Sequence, residues 1–377
     1  EATMPISTRV SLIRESPGTF ELATVELDDP RQGEITVKLA ATGLCHSDDH
    51  IAKNDLPPSK LPLVGGHEGA GVVTAVGPHT PGFEVGDHVV FSFLAACGRC
   101  EFCSRGMSNL CDLGSTIMSG GRPDEPGSYR MSENGVAVGQ AMGISTFSEY
   151  TTASVNSVVK IDKSIPLKVA ALLGCAVPTG WGAAVNSANI SPGAVVIVMG
   201  IGGIGSAAVQ GSVYAGARAV IAVDPVEFKR EKALEFGATH AFADIDEATA
   251  FAKSITNGQG ADATIVSVGV LKPEYVGQAM ASIRKAGTVV VPALGNARDV
   301  GVPIRMSDVT LFQKRLQGSL YGQSNPGFDI PNLLRMYQDG KLKLDEMVTN
   351  TYELGDVAQA YEDMHAGKNI RAMVVFD

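Results

Sequence analysis

The 377-residue sequence has no apolar run approaching 18 residues, and Glu1 to Leu12 holds no apolar core of signal-peptide length. No membrane-crossing helix and no secretory leader is therefore expected, which places the chain in the soluble, cytoplasmic class. Numbering begins at Glu rather than Met, so a few native residues are expected to be missing. It also lacks a basic excess. Its 30 Lys and Arg stand against 40 Asp and Glu, a net charge of −10, and no cationic face emerges for a nucleic-acid backbone. Cysteine is scarce. Six in a chain of this length and compartment argue against a disulfide framework and leave metal ligation to account for them.

Glycine is abundant, with 43 residues, and 45% apolar content supplies an ample core; the length suggests two to three domains. Short β-like runs broken by Gly and Pro occupy Arg9 to Phe93, at 20–26, 34–41, 69–76 and 88–93, and predict a β-rich, partly closed first domain. Residues 113–143 are polar and Gly-rich, with 120–124 expected as exposed loop, and strand pattern returns at 147–161. At Ala194 the organisation changes. The run Ala194–Met199 reads as a strand buried on both faces, and strands at 219–223, 263–268 and 288–292 alternate with helices at 206–215, 226–236, 248–256 and 275–285. That alternation predicts a doubly wound parallel sheet, an α/β architecture. Beyond Leu316 the chain is expected to rejoin the first domain through helices at 328–342 and 357–366 and a strand at 371–376. The expected domains are 1–177, with a lobe at 95–113, then 178–318, then the return at 319–377.

Cys45 and His67 each sit among small residues and are followed by a carboxylate, Asp48 or Glu68. A thiolate and an imidazole suit zinc but do not close a tetrahedron; Cys175 is the cysteine left to join them, leaving one open position as in a catalytic site. Cys97, Cys100, Cys103 and Cys111 are spaced x2, x2, x7, which suits an all-sulfur structural zinc. A disulfide pair and an iron–sulfur cluster compete for that lobe; the ferredoxin spacing x2, x2, x3 with a following Pro is absent.

Gly200, Gly202, Gly203 and Gly205 follow the buried strand at once and open a helix, and Asp224 ends the next strand 19 positions after Gly205. In that context the glycines make a tight turn that admits a pyrophosphate at a helix N-terminus, and a carboxylate at the ribose favours NAD over NADP. Lys229 either approaches the same ribose or is solvated surface.

With these motifs, together with Gly66-His67-Glu68, Thr179-Gly180 and Gly367 to Arg371, the chain resembles the zinc-dependent alcohol dehydrogenases of the medium-chain dehydrogenase/reductase family along nearly its whole length. The resemblance implies a GroES-like catalytic domain, a Rossmann domain, two zincs and NAD, and a homodimer or homotetramer joined through the Rossmann sheets. It assigns Cys45, His67 and Cys175 to the catalytic zinc with Glu68 near it, Asp48 to the second nitrogen of His67, and Ser47 and His50 to a proton relay. Thr179 belongs to the cofactor-binding set, while His46 and Arg371 would face the pyrophosphate, His46 standing where several relatives carry Arg. Leu56, Phe93, Met142, Leu294 and Leu320 would line an apolar substrate pocket, or be ordinary core. His79, His88, His240 and His365 read as structural or solvated.

The implied reaction is reversible oxidation of a small alcohol to an aldehyde or ketone. The glutathione-dependent formaldehyde branch looks for a cation shortly after the fourth cysteine, where this chain has Asp112 to Thr116. The segment 118–143 is similar to the actinobacterial nicotinoprotein branch, in which NAD is retained and an external redox carrier, mycofactocin or a nitrosoaniline dye, reoxidises it. Oxidation of a polyol or a formaldehyde–thiol adduct is the competing enzyme reading. A non-catalytic nucleotide-binding protein is the competing class, disfavoured by a complete set of seven metal donors.

Overall fold

The computed structural model describes residues 5–377; residues 1–4 of the expected first domain lie outside the described residues. The described chain divides into two compact units, one of 5–175, 325–366 and 371–377, the other of 176–324 and 367–370.

The first unit is β-rich, as its short runs between Gly and Pro require. A small closed barrel joins Ile6–Ile13, Glu21–Leu27, Met131–Glu133, Val136–Gln140 and Leu63–Val64. A second sheet runs in the order Val158–Ile161, His88–Phe91, Glu68–Val76, Glu34–Gly43, Arg371–Val375, Val348–Tyr352, with Tyr150–Ser154 also paired to Glu34–Gly43. The strand 371–375 therefore lies inside the sheet, antiparallel to 34–43 and parallel to 348–352. Leu39, Phe91, Ile144 and Phe147 are fully buried between these layers and helix Val357–His365.

The segment 113–143, which the sequence pattern leaves unassigned, carries two barrel strands, 131–133 and 136–140, and one expectation about it is corrected. Residues 120–122 are buried rather than exposed, because the Arg122 guanidinium points inward: Nη1 donates to Thr152 O at 3.0 Å, and Nη2 to Gln140 Oε1 at 2.5 Å and Gly143 O at 2.9 Å. Loop backbone polar groups cannot be left dry, and Arg supplies five donors in one plane to satisfy them. Nearby, Arg130 grips Glu34 through two bonds of 2.9 and 2.7 Å, tying the start of strand 34–43 to the start of 131–133.

The second unit is a six-stranded parallel sheet ordered His240–Phe242, Ala219–Val223, Val195–Met199, Ala261–Val266, Ile283–Val291, Arg315–Gly318. Counted along the chain this is the order 3-2-1-4-5-6 of a dinucleotide-binding fold. Every residue of 195–199 and 219–223 is buried, as continuous apolar strands under helices on both faces must be. The helix after its first strand, Gly203–Tyr214, begins three residues before the expected Ser206, since the glycine turn itself forms the first helical turn. The last strand, 315–318, is exposed throughout and forms a sheet edge. Among the described residues no single helix is long and apolar enough to cross a membrane.

Candidate metal and nucleotide sites

Two adjacent strands deliver the first donors. Gly43 at the end of one strand pairs with Glu68 at the start of its neighbour, so Cys45 and His67, just outside each, emerge at the same end. Cys45 occupies the N-cap of helix His46–Ala52, whose first turn carries Asp48 and Asp49 in the place where a helix favours negative charge. Cys175 follows the turn Ala171–Gly174. A Cβ on Gly174 would stand 2.7 Å from Phe91 O and 3.1 Å from Glu68 Cα, so only glycine lets this turn press against the strand and bring its thiol in.

The donor atoms of Cys45, His67 and Cys175 all lie within 4.8 Å of one another, and all three residues are buried. The two sulfurs are 3.8 Å apart; two thiolates sharing a tetrahedral zinc at about 2.3 Å are separated by about 3.8 Å. His67 Nδ1 lies 2.8 Å from Asp48 Oδ2 as an ion-pair contact, and Asp48 Oδ1 accepts from Gly66 N at 2.9 Å, which aims the carboxylate at this side of the ring. The opposite nitrogen, Nε2, is buried with no hydrogen-bond partner. A buried imidazole nitrogen orphaned beside two thiols fits a metal donor and would otherwise be costly. The surroundings favour positive charge at this point: burial opposes protonation of His67, yet Asp48 and Cys45 push its imidazole up to about 10. A hydrogen bond from Cys175, with Arg371 and His67 nearby, holds the Cys45 thiol well below the ordinary thiol range. Zinc therefore fits Cys45, His67 and Cys175.

The Cys97, Cys100, Cys103 and Cys111 sulfurs likewise lie within 4.8 Å of one another. Backbone N–H groups already point at them, from Arg99 and Cys100 to Cys97 Sγ at 3.4 and 3.3 Å and from Cys97 to Cys111 Sγ at 3.3 Å. Those donors bring the Cys97 thiol down to about 6. All six cysteines are free, which removes the disulfide reading.

Ser47 Oγ lies 3.7 Å from Cys45 Sγ. His50, in the last turn of the same helix, is 1% exposed, with Nδ1 2.9 Å from Asp55 Oδ2. His46 is half-buried, and burial pushes its imidazole down to about 4, so it is neutral at neutral pH. Arg371, expected to face a pyrophosphate, has another partner: it is buried in a two-bond pair with Glu68, Nε to Oε1 at 2.9 Å and Nη2 to Oε2 at 2.5 Å. Glu68 is thereby turned to Arg371 while its backbone abuts the donor set. His365, expected to be structural or solvated, and Lys53 share Asp49 Oδ2 at 2.8 and 2.9 Å.

Sequence reasoning missed Tyr361, whose hydroxyl donates to Cys45 O at 3.0 Å while its ring stacks on Phe20. With 316 positions between the two, no local pattern could have signalled it. Phe93 packs edge-on against the His67 ring, centroids 5.7 Å apart, and shares a small cavity with Met142, Ile117 and Pro123. Leu56 packs half-buried on the first unit's core. Leu294 and Leu320 belong to the second unit, where each is more than two-fifths exposed.

In the second unit the glycine turn is built as expected. Gly200 has φ +89°, and a Cβ on Gly205 would stand 1.9 Å from Gly200 O, so the helix can close on the strand only at glycine. Gly202 caps helix 203–214 with open space above it. Asp224 reaches back to this turn, Oδ2 accepting from Ile201 N and Oδ1 from Val226 N, both at 2.9 Å. Arg230, unforeseen, braces Asp224 O at 2.8 Å, while Lys229 is half-buried on the same helix and Thr179 is buried on helix Ala176–Gly182.

Two family models match, the alcohol dehydrogenase GroES-like domain over residues 31–163 and the zinc-binding dehydrogenase over 203–339. The chain is 49% identical over 370 residues to the NDMA-dependent alcohol dehydrogenase of Amycolatopsis methanolica, covering 98% of this chain and 99% of that protein. This chain belongs to the zinc-containing alcohol dehydrogenases of the medium-chain dehydrogenase/reductase family. Among solved structures, the alcohol dehydrogenase zinc-binding domain protein from Burkholderia ambifaria superposes with TM-score 0.90 at 31% identity, covering 99% of each chain. Benzyl alcohol dehydrogenase from Acinetobacter calcoaceticus does so with TM-score 0.87 at 30% identity, covering 99% of this chain and all of that one. In this dehydrogenase, then, the GroES-like match carries Cys45, His67 and the four-cysteine lobe, the zinc-binding dehydrogenase match carries Gly203 and Gly205, and Cys175, Gly200 and Gly202 lie on the stretch between the two.

Proposed function

We propose that this chain reversibly oxidises a small alcohol to an aldehyde or ketone, with one zinc on Cys45, His67 and Cys175, a second on the four-cysteine lobe, and NAD along the Gly200–Gly205 turn with its ribose at Asp224. The observation that carries the reading is the orphaned Nε2 of His67 facing two thiols at zinc spacing. Bound zinc supplies a Lewis acid that lowers the pKa of an alcohol hydroxyl, and NAD supplies the hydride acceptor. The protein's own residues do the rest. Asp48 and Tyr361 hold two of the donors in place, and Phe93 walls the donor set with apolar surface that excludes water. Ser47 is the hydroxyl placed to take the proton, and His50 continues its path.

The 49% identity to a protein named NDMA-dependent supports retention of NAD through turnover, with an external carrier as electron acceptor. The test is to denature the purified protein, identify the released nucleotide by absorbance and mass, and assay alcohol oxidation with a nitrosoaniline acceptor with and without added NAD. About one NAD per chain and turnover independent of added NAD support the reading. An empty protein that turns over on soluble NAD replaces it with an ordinary dehydrogenase; no alcohol oxidised under either condition overturns it.

A further inference from the structure

His50 poses a difficulty for the relay that ends on it. At 1% exposure its ring has no direct access to solvent, so a proton reaching it must leave through another group. The fold places one there. After helix 46–52 the chain turns back through Asn54, at φ +66°, so that Asp55 N and Leu56 N both donate to His50 O, at 2.9 and 3.2 Å. That turn sets Asp55 Oδ2 2.9 Å from His50 Nδ1, while the Asp55 side chain is 24% exposed. The nearest cation on the helix, Lys53, is bound to Asp49 and His365.

We infer that Asp55 is the outer end of the proton path, taking the proton from His50 Nδ1 and passing it to solvent. The inference rests on the alcohol dehydrogenase reading above and extends it. The imidazole gains a proton at Nε2 and gives up the one at Nδ1; that N–H bond breaks as an O–H bond forms on Asp55 Oδ2. The carboxylic acid then releases the proton to water, restoring the carboxylate, and aldehyde reduction runs the same exchange backwards. Asp55 touches no substrate atom. It is a positioning residue that holds the Nδ1–H tautomer of His50 and gives its proton an exit.

The test compares the holoenzyme with Asp55→Asn, which keeps a hydrogen-bonding side chain without a basic oxygen, and with Asp55→Glu. The readout is the single-turnover rate of nicotinamide reduction against alcohol concentration, with zinc and nucleotide content measured on the same samples. In D55N the limiting rate is expected to fall at least about tenfold, with the half-saturating alcohol concentration and both contents unchanged. Added imidazole or formate buffer is expected to restore the rate progressively, and D55E to retain most of it. A D55N rate equal to wild type overturns the inference, as does a loss that no buffer relieves. A wild-type enzyme that reduces no nicotinamide with any alcohol instead removes the dehydrogenase reading and the exit with it; an active wild type beside an unaffected D55N removes the exit alone.

Discussion

Arg371 and Glu68 are the residues whose roles matter most behind the metal donors. Both are buried, and each satisfies the other with two charge-assisted bonds. Removing one partner of such a pair strands a buried charge, which costs about 3–5 kcal/mol. Arg371→Met is therefore expected to lower the thermal midpoint and the zinc content together, and adding Glu68→Met to recover much of the loss; full stability of the single variant would show that the pair carries no such burden. Tyr361→Phe removes one hydrogen bond, worth about 1 kcal/mol, and is expected to weaken zinc retention against a chelator while leaving the ring packing on Phe20 intact. Donor residues were legible in the sequence because zinc chemistry restricts them to Cys and His at ordered spacings. Tyr361, Asp55 and the pairing of Arg371 with Glu68 were not, because a buried tyrosine, a loop aspartate and an arginine each have many ordinary uses until tertiary folding supplies the neighbour.

Among the elements, the cysteine lobe and the barrel segment 113–143 call for separate tests. The lobe has little apolar burial, so the metal's binding free energy is expected to act as its folding free energy. Cys103→Ser should lose about one zinc of two per chain and open the lobe to proteolysis, measured by elemental analysis and limited digestion. The barrel segment is tied through Arg130 to Glu34 of the neighbouring sheet, where burial would raise the Glu34 carboxyl but its bonds from Arg130 win and hold it below the usual carboxylate range. The sign follows: with the folded pKa below the unfolded value of about 4.3, Glu34 contributes stability that is present above that pH and is lost as pH falls through the folded pKa. Wild type should exceed Glu34→Gln in urea resistance near neutrality, and the gap should close in acid. The parallel strands were readable because burial on both faces forces unbroken apolar runs. Barrel strands 131–133 and 136–140 were unreadable, being only three and five residues long in a Gly-rich, polar segment, and the Arg122 loop looked exposed because its composition matched a surface turn.

For the molecule as a whole, the doubly wound parallel sheet and both metal-donor sets were expected from sequence, strands 240–242 and 315–318 and the six-strand order were not, and its assembly is a prediction. Strand 315–318 leaves a sheet edge unpaired, and Val300, Met306 and Leu311 on the chain leading to it are 95%, 81% and 74% exposed. An unpaired edge and exposed apolar groups each invite association, and a two-fold pairing of identical edges would cover the edge. Light scattering is expected to give an even multiple of the chain mass, falling to one chain in the Val300→Glu, Met306→Lys double variant.

Strand 371–375 lies between two partners inside its sheet, and Tyr361 anchors Cys45 from 316 positions away. During synthesis, then, 176–324, all of its unit but 367–370, can collapse on the ribosome as one continuous stretch while the unit that carries the metal donors still waits for its interior strand to emerge. Capture of the catalytic ion should accordingly be a late event of biogenesis, and a nascent chain arrested before residue 361 should present its thiols to oxidants that the finished protein excludes.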